Sequence, residues 1–141
     1  MNVVVTFESR TGNTQRAAQL VAGGLKSAGA DVHLTPVTQP NYKALAQADL
    51  VVVGTWTDGL FFFGQRPGGG GKIARSLPEL WDKRTFSYVT YAVNPGRSHY
   101  KLADILEAKG ARSLGASALH RTNLEADAAE FVDGIIEHFS A

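Results

Sequence analysis

The chain lacks cysteine entirely. It therefore has no disulfide bond, no thiolate nucleophile and no cysteine-ligated zinc or iron–sulfur centre of its own. An excess of charge is also missing, because 14 lysines and arginines balance 13 acidic residues and leave a formal net charge of +1. So weak a field excludes strong electrostatic attraction to a phosphate backbone, and we expect no nucleic-acid partner.

Long hydrophobic runs are missing too. No apolar stretch approaches the ~20 residues that a membrane-spanning helix needs, so we expect no membrane association. The first residues lead directly into an apolar strand, without the basic segment and apolar stretch of a secretory signal. A cytoplasmic location is the expectation that follows.

What is present fits an ordinary globular domain. A chain of 141 residues can bury a real core, and hydrophobic and charged shares of 44% and 19% are typical of such a domain. There is no internal repeat, and the low-complexity segment Pro67-Gly68-Gly69-Gly70-Gly71 is too short for an interdomain linker. We therefore expect a single domain over residues 1–141.

Strand and helix patterns alternate along the chain. Apolar runs and alternations predict strands at residues 3–7, 32–37, 50–53, 86–93 and 114–119. Helical spacing of apolar residues predicts helices at residues 17–28, 42–47, 72–76, 102–110 and 128–139. This alternation predicts an α/β fold, a doubly wound five-stranded parallel sheet with helices on both faces. Ligands bind such sheets beyond the carboxyl ends of the strands, so the loops there are the candidates for function.

A hydroxyl-rich loop follows the first strand: Ser9-Arg10-Thr11-Gly12-Asn13-Thr14. It leads into a helix, whose first N–H groups are unpaired and whose dipole favours an anion. The hydroxyls of Ser9, Thr11 and Thr14 add hydrogen bonds, and the glycine can adopt backbone angles that other residues avoid. We interpret the loop as a site for a single terminal phosphate. The alternative is a polar turn in which Asn13 or Thr14 caps the helix.

Two further loops present aromatic residues. Gly54-Thr55-Trp56-Thr57-Asp58-Gly59 follows the third predicted strand, and Asn94-Pro95-Gly96-Arg97-Ser98-His99-Tyr100 follows the fourth. An aromatic ring at such an edge can cover a flat ligand, while neighbouring peptide groups bond its rim. A structural alternative is that Trp56 packs on the phenylalanines at 61–63, and another is that Ser98 caps a helix on which Tyr100 packs. Together the three loops indicate a ligand with a phosphate and a planar ring, as in flavin mononucleotide (FMN).

These loops resemble those of the flavodoxin family in its short-chain form, over nearly the whole chain. The first loop is similar to the family's phosphate loop, Ser/Thr-x-Thr-Gly-x-Thr. The second is similar to the loop whose tryptophan covers one face of the flavin. Gly96-Arg97-Ser98-His99-Tyr100 resembles the Gly-Asp-Ser-x-Tyr loop, whose tyrosine stacks on the other face. The insert within the last strand that marks the long-chain form is absent.

The resemblance implies noncovalent binding of FMN, with no catalytic side chain and no metal, because the cofactor carries the redox chemistry. Trp56 and Tyr100 would sandwich the flavin ring. The residues expected to bind the cofactor are Ser9, Arg10, Thr11, Gly12, Asn13, Thr14, Thr55, Trp56, Thr57, Asp58, Gly59, Asn94, Pro95, Gly96, Arg97, Ser98 and Tyr100. The implied role is electron transfer to or from a redox partner protein, a reductase or an acceptor, that the sequence does not identify.

Two other functions stay open on the sequence alone. A small FMN-dependent oxidoreductase with its own substrate would need an open pocket over the flavin. A flavodoxin-fold interaction module would have lost the flavin, and the intact phosphate loop argues against it. An electron carrier is favoured over a stand-alone oxidoreductase.

Three features depart from the family pattern. In the family a glycine often follows the tryptophan, and its peptide flips when the flavin is reduced, which requires a positive φ. Thr57 stands at this position, and a β-branched residue resists positive φ. We therefore predict a poorly stabilised half-reduced flavin. Arg97 replaces the usual aspartate, and with Arg10 and Arg66 it favours a less reducing flavin couple. The alternative is that all three arginines point to solvent. The near-neutral net charge predicts weak electrostatic steering of a partner.

The segment from Gly59 to Gly71 combines three phenylalanines with a glycine run. One interpretation is a mobile gate or a docking surface beside the flavin ring. We favour the alternative, in which at least two of the phenylalanines are partly buried and the glycines form a long turn.

Overall fold

A computed structural model describes residues 1–58 and 64–140. The predictions for residues 59–63, a flavin contact from Gly59 and the packing of Phe61, Phe62 and Phe63, lie outside the described residues. The strands are β1 (Asn2–Phe7), β2 (Asp31–Pro36), β3 (Leu50–Asp58), β4 (Arg66–Pro67), β5 (Arg84–Tyr91) and β6 (Arg112–His120). The helices are α1 (Asn13–Ser27), α2 (Tyr42–Gln47), α3 (Gly70–Ser76), α4 (Ser98–Ala108) and α5 (Leu124–Ser140).

The long strands form one parallel sheet in the order β2-β1-β3-β5-β6. The chain starts inside the sheet with β1, adds β2 on one side and then continues on the other side with β3. The strand order therefore reverses between β1 and β3, which is the doubly wound arrangement that the alternating pattern predicts. Pro36, which cannot donate a ladder hydrogen bond, ends the edge strand β2.

Helices cover both faces of the sheet, and alternate residues of the central strands point to opposite sides. Val3, Val5 and Val52 belong to the core that contains α1 and α5. Val4, Val51 and Val53 belong to the second core, with α2, α3 and α4. The continuous apolar run of β3 is explained by this double cover. None of the helices in the described ranges is long and apolar enough to cross a membrane.

Strand β3 is longer than its apolar run predicts, because it continues to Asp58. The predicted second loop is therefore strand as far as it is described. The reason is β4, a two-residue strand that no sequence pattern predicts. Arg66 and Pro67 pair antiparallel with Asp58 and Thr57. This short pairing extends β3 beyond Trp56, its last residue with a parallel partner.

Other boundaries shift by a few residues. Strand β5 ends at Tyr91 rather than at 93, β6 is longer at both ends, and α3 and α5 begin earlier than predicted. Helix α4 begins at Ser98, so the last three residues of the predicted third loop form its first turn. Small and polar residues make up most of these extensions, although the earlier start of α5 includes the buried Leu124, which continues the apolar spacing of that helix.

Close packing across the sheet requires a glycine at position 54. A Cβ added to Gly54 would lie 1.9 Å from Cζ of Tyr88, its neighbour in the β3–β5 register. The Tyr88 ring is fully buried, and burial raises the pKa of its hydroxyl. That hydroxyl donates a hydrogen bond to the carbonyl oxygen of Thr14 at 3.2 Å. The ring thereby connects β5 with the start of α1.

Candidate functional site

The loop after β1 is folded around the hydroxyl of Ser9. Its Oγ accepts hydrogen bonds from the backbone N–H groups of Gly12 at 3.2 Å and Gln15 at 3.4 Å. Gly12 is the N-cap residue of helix α1 and supplies no side-chain cap, so the alternative of a cap by Asn13 or Thr14 is wrong. Gly12 has φ 97°, and an added Cβ would meet nothing within 4 Å. The left-handed backbone explains the glycine, and the space beside it is open.

The first turn of α1 presents unsatisfied donors. The N–H groups of Asn13 and Thr14 find no acceptor within residues 1–58 and 64–140, as is usual at a helix N-terminus. No acidic residue lies in this turn to neutralise the positive end of the helix dipole. Arg10 and Thr11 are exposed beside it. This set of donors suits an anion.

The hydroxyl of Thr14 has a different position from the one expected. The residue is 2% exposed, and its Oγ1 forms a hydrogen bond with Oγ1 of Thr90 at 3.0 Å. The bond connects the start of α1 with the end of β5. The Thr14 hydroxyl, which the sequence analysis expected to bond a phosphate, therefore uses part of its hydrogen-bonding capacity within the protein.

The indole of Trp56 lies against the glycine run. A Cβ added to Gly68 would lie 1.9 Å from the indole Nε1, and the Gly68 N–H donates to the Trp56 carbonyl oxygen at 2.8 Å. One residue on, the Gly69 N–H donates to Oγ1 of Thr55 at 3.0 Å. The indole Nε1 is buried and has no hydrogen-bond partner in the part of the chain that is described. The half-buried ring of Trp56 is therefore positioned by Gly68 as well as by β3.

The third loop is folded by its own turn. Oδ1 of Asn94 accepts from the Gly96 N–H at 2.9 Å, and the carbonyl oxygen of Pro95 accepts from the Ser98 N–H at 3.0 Å. The N-cap residue of α4 is Arg97, and no side chain caps the helix. The alternative that Ser98 caps α4 is therefore wrong.

The two aromatic loops are joined by a pair of hydroxyls. Oγ of the fully buried Ser98 lies 2.9 Å from Oγ1 of Thr57. Thr57 also has extended backbone, since it pairs with Pro67 in the antiparallel ladder. Both observations oppose a rotation of the peptide that follows Thr57. The sequence prediction of a poorly stabilised half-reduced flavin depends on this resistance to rotation.

Tyr100 is exposed on the first turn of α4, with 49% of its surface accessible. Its ring centroid lies 4.0 Å from that of His99, at an interplanar angle of 37°. The guanidinium carbon of Arg97 lies 5.2 Å from the centroid of the same ring, within the range of a cation–π contact. Half of the tyrosine surface is thus free to contact another molecule.

A groove of about 230 Å³ lies at the carboxyl ends of β1, β3 and β5. Its lining residues are Arg10, Thr11, Asn13, Trp56, Thr57, Thr90, Tyr91, Ala92 and Arg121. The structure therefore brings residues of the first and second predicted loops together, whereas the third loop and Tyr100 lie outside this lining. The groove is smaller than the ~300–1,000 Å³ usual for ligand pockets.

Four of the lining residues were not predicted: Thr90, Tyr91, Ala92 and Arg121. Each lies at or just beyond the carboxyl end of β5 or β6, which is the signal that could have identified them. The Arg121 N–H donates to the carbonyl oxygen of Tyr91 at 2.9 Å, and this bond holds the two residues together. A larger hollow of about 450 Å³ beside β6 and α5 contains none of the predicted cofactor residues.

Positive charge at this edge of the sheet is only partly neutralised. Ion pairs join Lys72 to Glu8 at 3.1 Å, Arg66 to Asp58 at 3.9 Å, and Arg16 to Glu125 at 2.9 Å. The exposed guanidinium groups of Arg10, Arg97 and Arg121 have no ion pair with any carboxylate among the described residues.

His99 is the titratable group of the third loop. Burial lowers its pKa, and the nearby Arg97 guanidinium lowers the same pKa further. Its Nδ1 is buried without a hydrogen-bond partner among the described residues. The folded protein therefore disfavours the imidazolium form.

We expect His99 to make folding less favourable below pH 6.5. Above the ordinary pKa of 6.5 the imidazole is neutral in both states and contributes nothing. As the pH falls, the unfolded chain takes up a proton before the folded protein does, so the free energy of unfolding decreases until the pH passes the folded pKa. Comparing urea unfolding of the wild type and His99→Gln at pH ~7 and ~5 measures this loss, which the variant should lack.

An NMR titration of His99 supplies the control. In the variant Arg97→Gln, the pKa of His99 should lie higher than in the wild type, because one repulsive charge is gone. A wild-type pKa at or above 6.5 would contradict the assignment.

The fold and the site define a class: a parallel α/β protein with unpaired backbone donors at the start of its first helix and a groove lined by an aromatic residue where the strand order reverses. Comparison with known families makes this specific. Residues 4–113 match the family model described as flavodoxin domain. The chain belongs to the flavodoxin family. No curated protein matches the chain significantly.

Solved structures share the fold. A cysteine-to-serine mutant of flavodoxin from Pseudomonas aeruginosa has a TM-score of 0.74 at 16% identity, with 100% of both chains covered. Oxidised flavodoxin 2 from Bacillus cereus gives 0.69 at 16% identity, covering 98% of this chain and 99% of that one. Two-electron reduced flavodoxin from Megasphaera elsdenii gives 0.63 at 22% identity, covering 91% and 98%. At these identities the likeness concerns the fold alone.

Proposed function

We propose that this flavodoxin-family protein binds FMN and transfers electrons. The observation that carries the proposal is the groove in which the start of α1 and the indole of Trp56 meet, at the point where the strand order reverses. A ligand with a phosphate and a flat ring fits these two features together. FMN, when bound, would supply the redox chemistry.

The first loop fits the phosphate. The unpaired N–H groups of Asn13 and Thr14, the hydroxyl of Thr11 and the guanidinium of Arg10 are all donors. A phosphate needs several such donors and accepts charge-assisted hydrogen bonds from them. The task of these residues would be to bind the phosphate and fix the register of the ligand.

The aromatic side chains fit the ring. Trp56 lines the groove, and half of the Tyr100 ring is exposed on the third loop. Both would contact the ring and limit the access of water to it, as aromatic rings do at sites for flat ligands. No side chain of the groove is needed as an acid, a base or a nucleophile.

The first test is a titration of the apo-protein with FMN and with riboflavin, which lacks the phosphate. We expect FMN to bind at least about a hundredfold more tightly, since charge-assisted hydrogen bonds are worth ~1.5–3 kcal/mol each. Equal affinities would contradict the role of the first loop. No binding of either would remove the electron-transfer proposal and favour an interaction module.

The variant Gly12→Ala tests the loop directly. Alanine resists the φ of 97° at this position, so the turn relaxes and its N–H groups move away from the phosphate. We expect the affinity for FMN to fall at least about tenfold, while riboflavin affinity changes little. Isothermal titration calorimetry measures both constants.

Gly29→Ala is the matched control. Gly29 also has φ 97° and open space around its Cβ position, but it lies after the end of α1. Both variants should lose a similar amount of folding stability, about 1 kcal/mol. A fall in FMN affinity of the same size in both would show that the effect is general destabilisation and not the loss of a phosphate site.

A further inference from the structure

The segments that follow β1, β5 and β6 carry exposed arginine and apolar side chains at one edge of the sheet. We define the arginine rim as Arg10, Arg97 and Arg121 together with the exposed apolar residues Val93 and Tyr100. Val93 is 78% exposed and Tyr100 is 49% exposed. Arg10 and Arg121 line the groove together with Ala92, the residue before Val93.

The segments that carry the rim contribute almost no carboxylate, and Asp58, which ends β3 at the same edge, lies 3.9 Å from Arg66. Residues 91–101 contain no aspartate or glutamate, and neither do residues 9–24. The carboxylates nearest in the chain are engaged with other cations: Glu8 with Lys72 and Glu125 with Arg16. On α4 the next carboxylate is Asp104, one turn beyond Tyr100. A chain whose net charge is only +1 therefore concentrates positive charge on one edge.

We propose that the arginine rim is the docking surface for an acidic redox partner protein. This inference rests on the proposed function, because electrons would pass where the partner meets the groove. Exposed apolar side chains surrounded by charges of one sign are suited to a transient protein complex, in which the charges steer and orient the partner. Complementarity then requires carboxylates on the partner.

Nucleic acid is the other polyanion that arginines attract, and the surface fits it less well. A phosphate backbone is bound by a stripe of many cations, whereas the rim offers three arginines and two exposed apolar residues. A partner protein uses both parts of the surface.

The experiment measures binding of poly-L-glutamate to the purified protein at low and physiological ionic strength, without added flavin. We expect binding that weakens with salt, with chemical-shift changes at Ala92, Val93 and Tyr100 in NMR spectra. The triple variant Arg10→Gln, Arg97→Gln, Arg121→Gln should lose at least about tenfold in affinity.

The matched control removes the same charge elsewhere, through Lys26→Gln, Lys43→Gln and Arg75→Gln, three exposed residues on α1, α2 and α3. It should bind poly-L-glutamate as the wild type does. Equal losses in both triple variants, or tighter binding of a DNA duplex than of poly-L-glutamate at the rim, would overturn the proposal. FMN binding without poly-L-glutamate binding overturns this inference alone. Poly-L-glutamate binding without FMN binding overturns the electron-transfer role, and with it the redox function of the partner, and leaves only a surface that binds acidic chains.

Discussion

Replacing Gly54 by alanine is expected to destabilise the fold by about 3 kcal/mol or more. The new Cβ would lie 1.9 Å from Cζ and 2.3 Å from the hydroxyl oxygen of Tyr88. Neither group can move easily, because the ring is fully buried and β3 is paired on both sides. Urea unfolding followed by circular dichroism measures the change in the free energy of unfolding.

A second glycine-to-alanine variant gives the opposite sign. Gly23 lies inside α1, and a Cβ there would meet nothing within 4 Å. Alanine should therefore stabilise the protein by about 0.5–1 kcal/mol.

The clash between an alanine at position 54 and the Tyr88 ring also predicts that the stability effects of the two positions are coupled. In a Tyr88→Leu background, the loss caused by Gly54→Ala should shrink by about 1 kcal/mol or more. The explanation fails if Gly54→Ala is as stable as the wild type, or if it loses the same amount in both backgrounds.

Replacing Gly68 by alanine is expected to displace the indole of Trp56 and weaken FMN binding by about tenfold. The added Cβ would lie 1.9 Å from the indole Nε1 and 2.1 Å from Cε2. Gly68 has no positive φ, so the clash and not backbone strain is the cause. In a Trp81→Phe background, Trp56 is the remaining tryptophan, and its fluorescence emission should shift in the variant.

Gly71→Ala provides the comparison within the same glycine run. A Cβ at Gly71 would lie 3.2 Å from Nη1 of Arg75, the end of a flexible side chain, so we expect wild-type emission and affinity. An emission shift in Gly68→Ala with unchanged FMN affinity would show that Trp56 does not contact the flavin. Unchanged emission would show that the indole is not held by Gly68.

The architecture could be predicted because its signals are local and repeated. The apolar run Leu50–Val53 indicates a strand covered on both faces, and Pro36 indicates an edge. Strand β4 could not be predicted, because Arg66 and Pro67 carry no periodicity and pair only through their contact with β3. The extension of β3 depends on that contact and was missed for the same reason.

The sequence predicted that three loops form the site, and the groove brings together residues of the first two, whereas the third loop lies outside its lining. The first loop and Trp56 do meet in one groove. The bond of Thr14 with Thr90 joins residues 76 positions apart, and no local pattern encodes such a pairing. Arg121 was missed because it belongs to no motif, although its place after the last strand of a parallel sheet already pointed to the same edge.

The two hydroxyl pairs have a thermodynamic consequence. The bond between Thr14 and Thr90 joins the first loop to the end of β5, and the bond between Thr57 and Ser98 joins the end of β3 to the start of α4, both without a ligand. Fixing a loose residue costs ~1–2 kcal/mol of backbone entropy, and here that cost is met during folding. A ligand would meet a preorganised site and retain more of its contact energy as affinity, with a smaller entropic penalty than loops ordered on binding would impose.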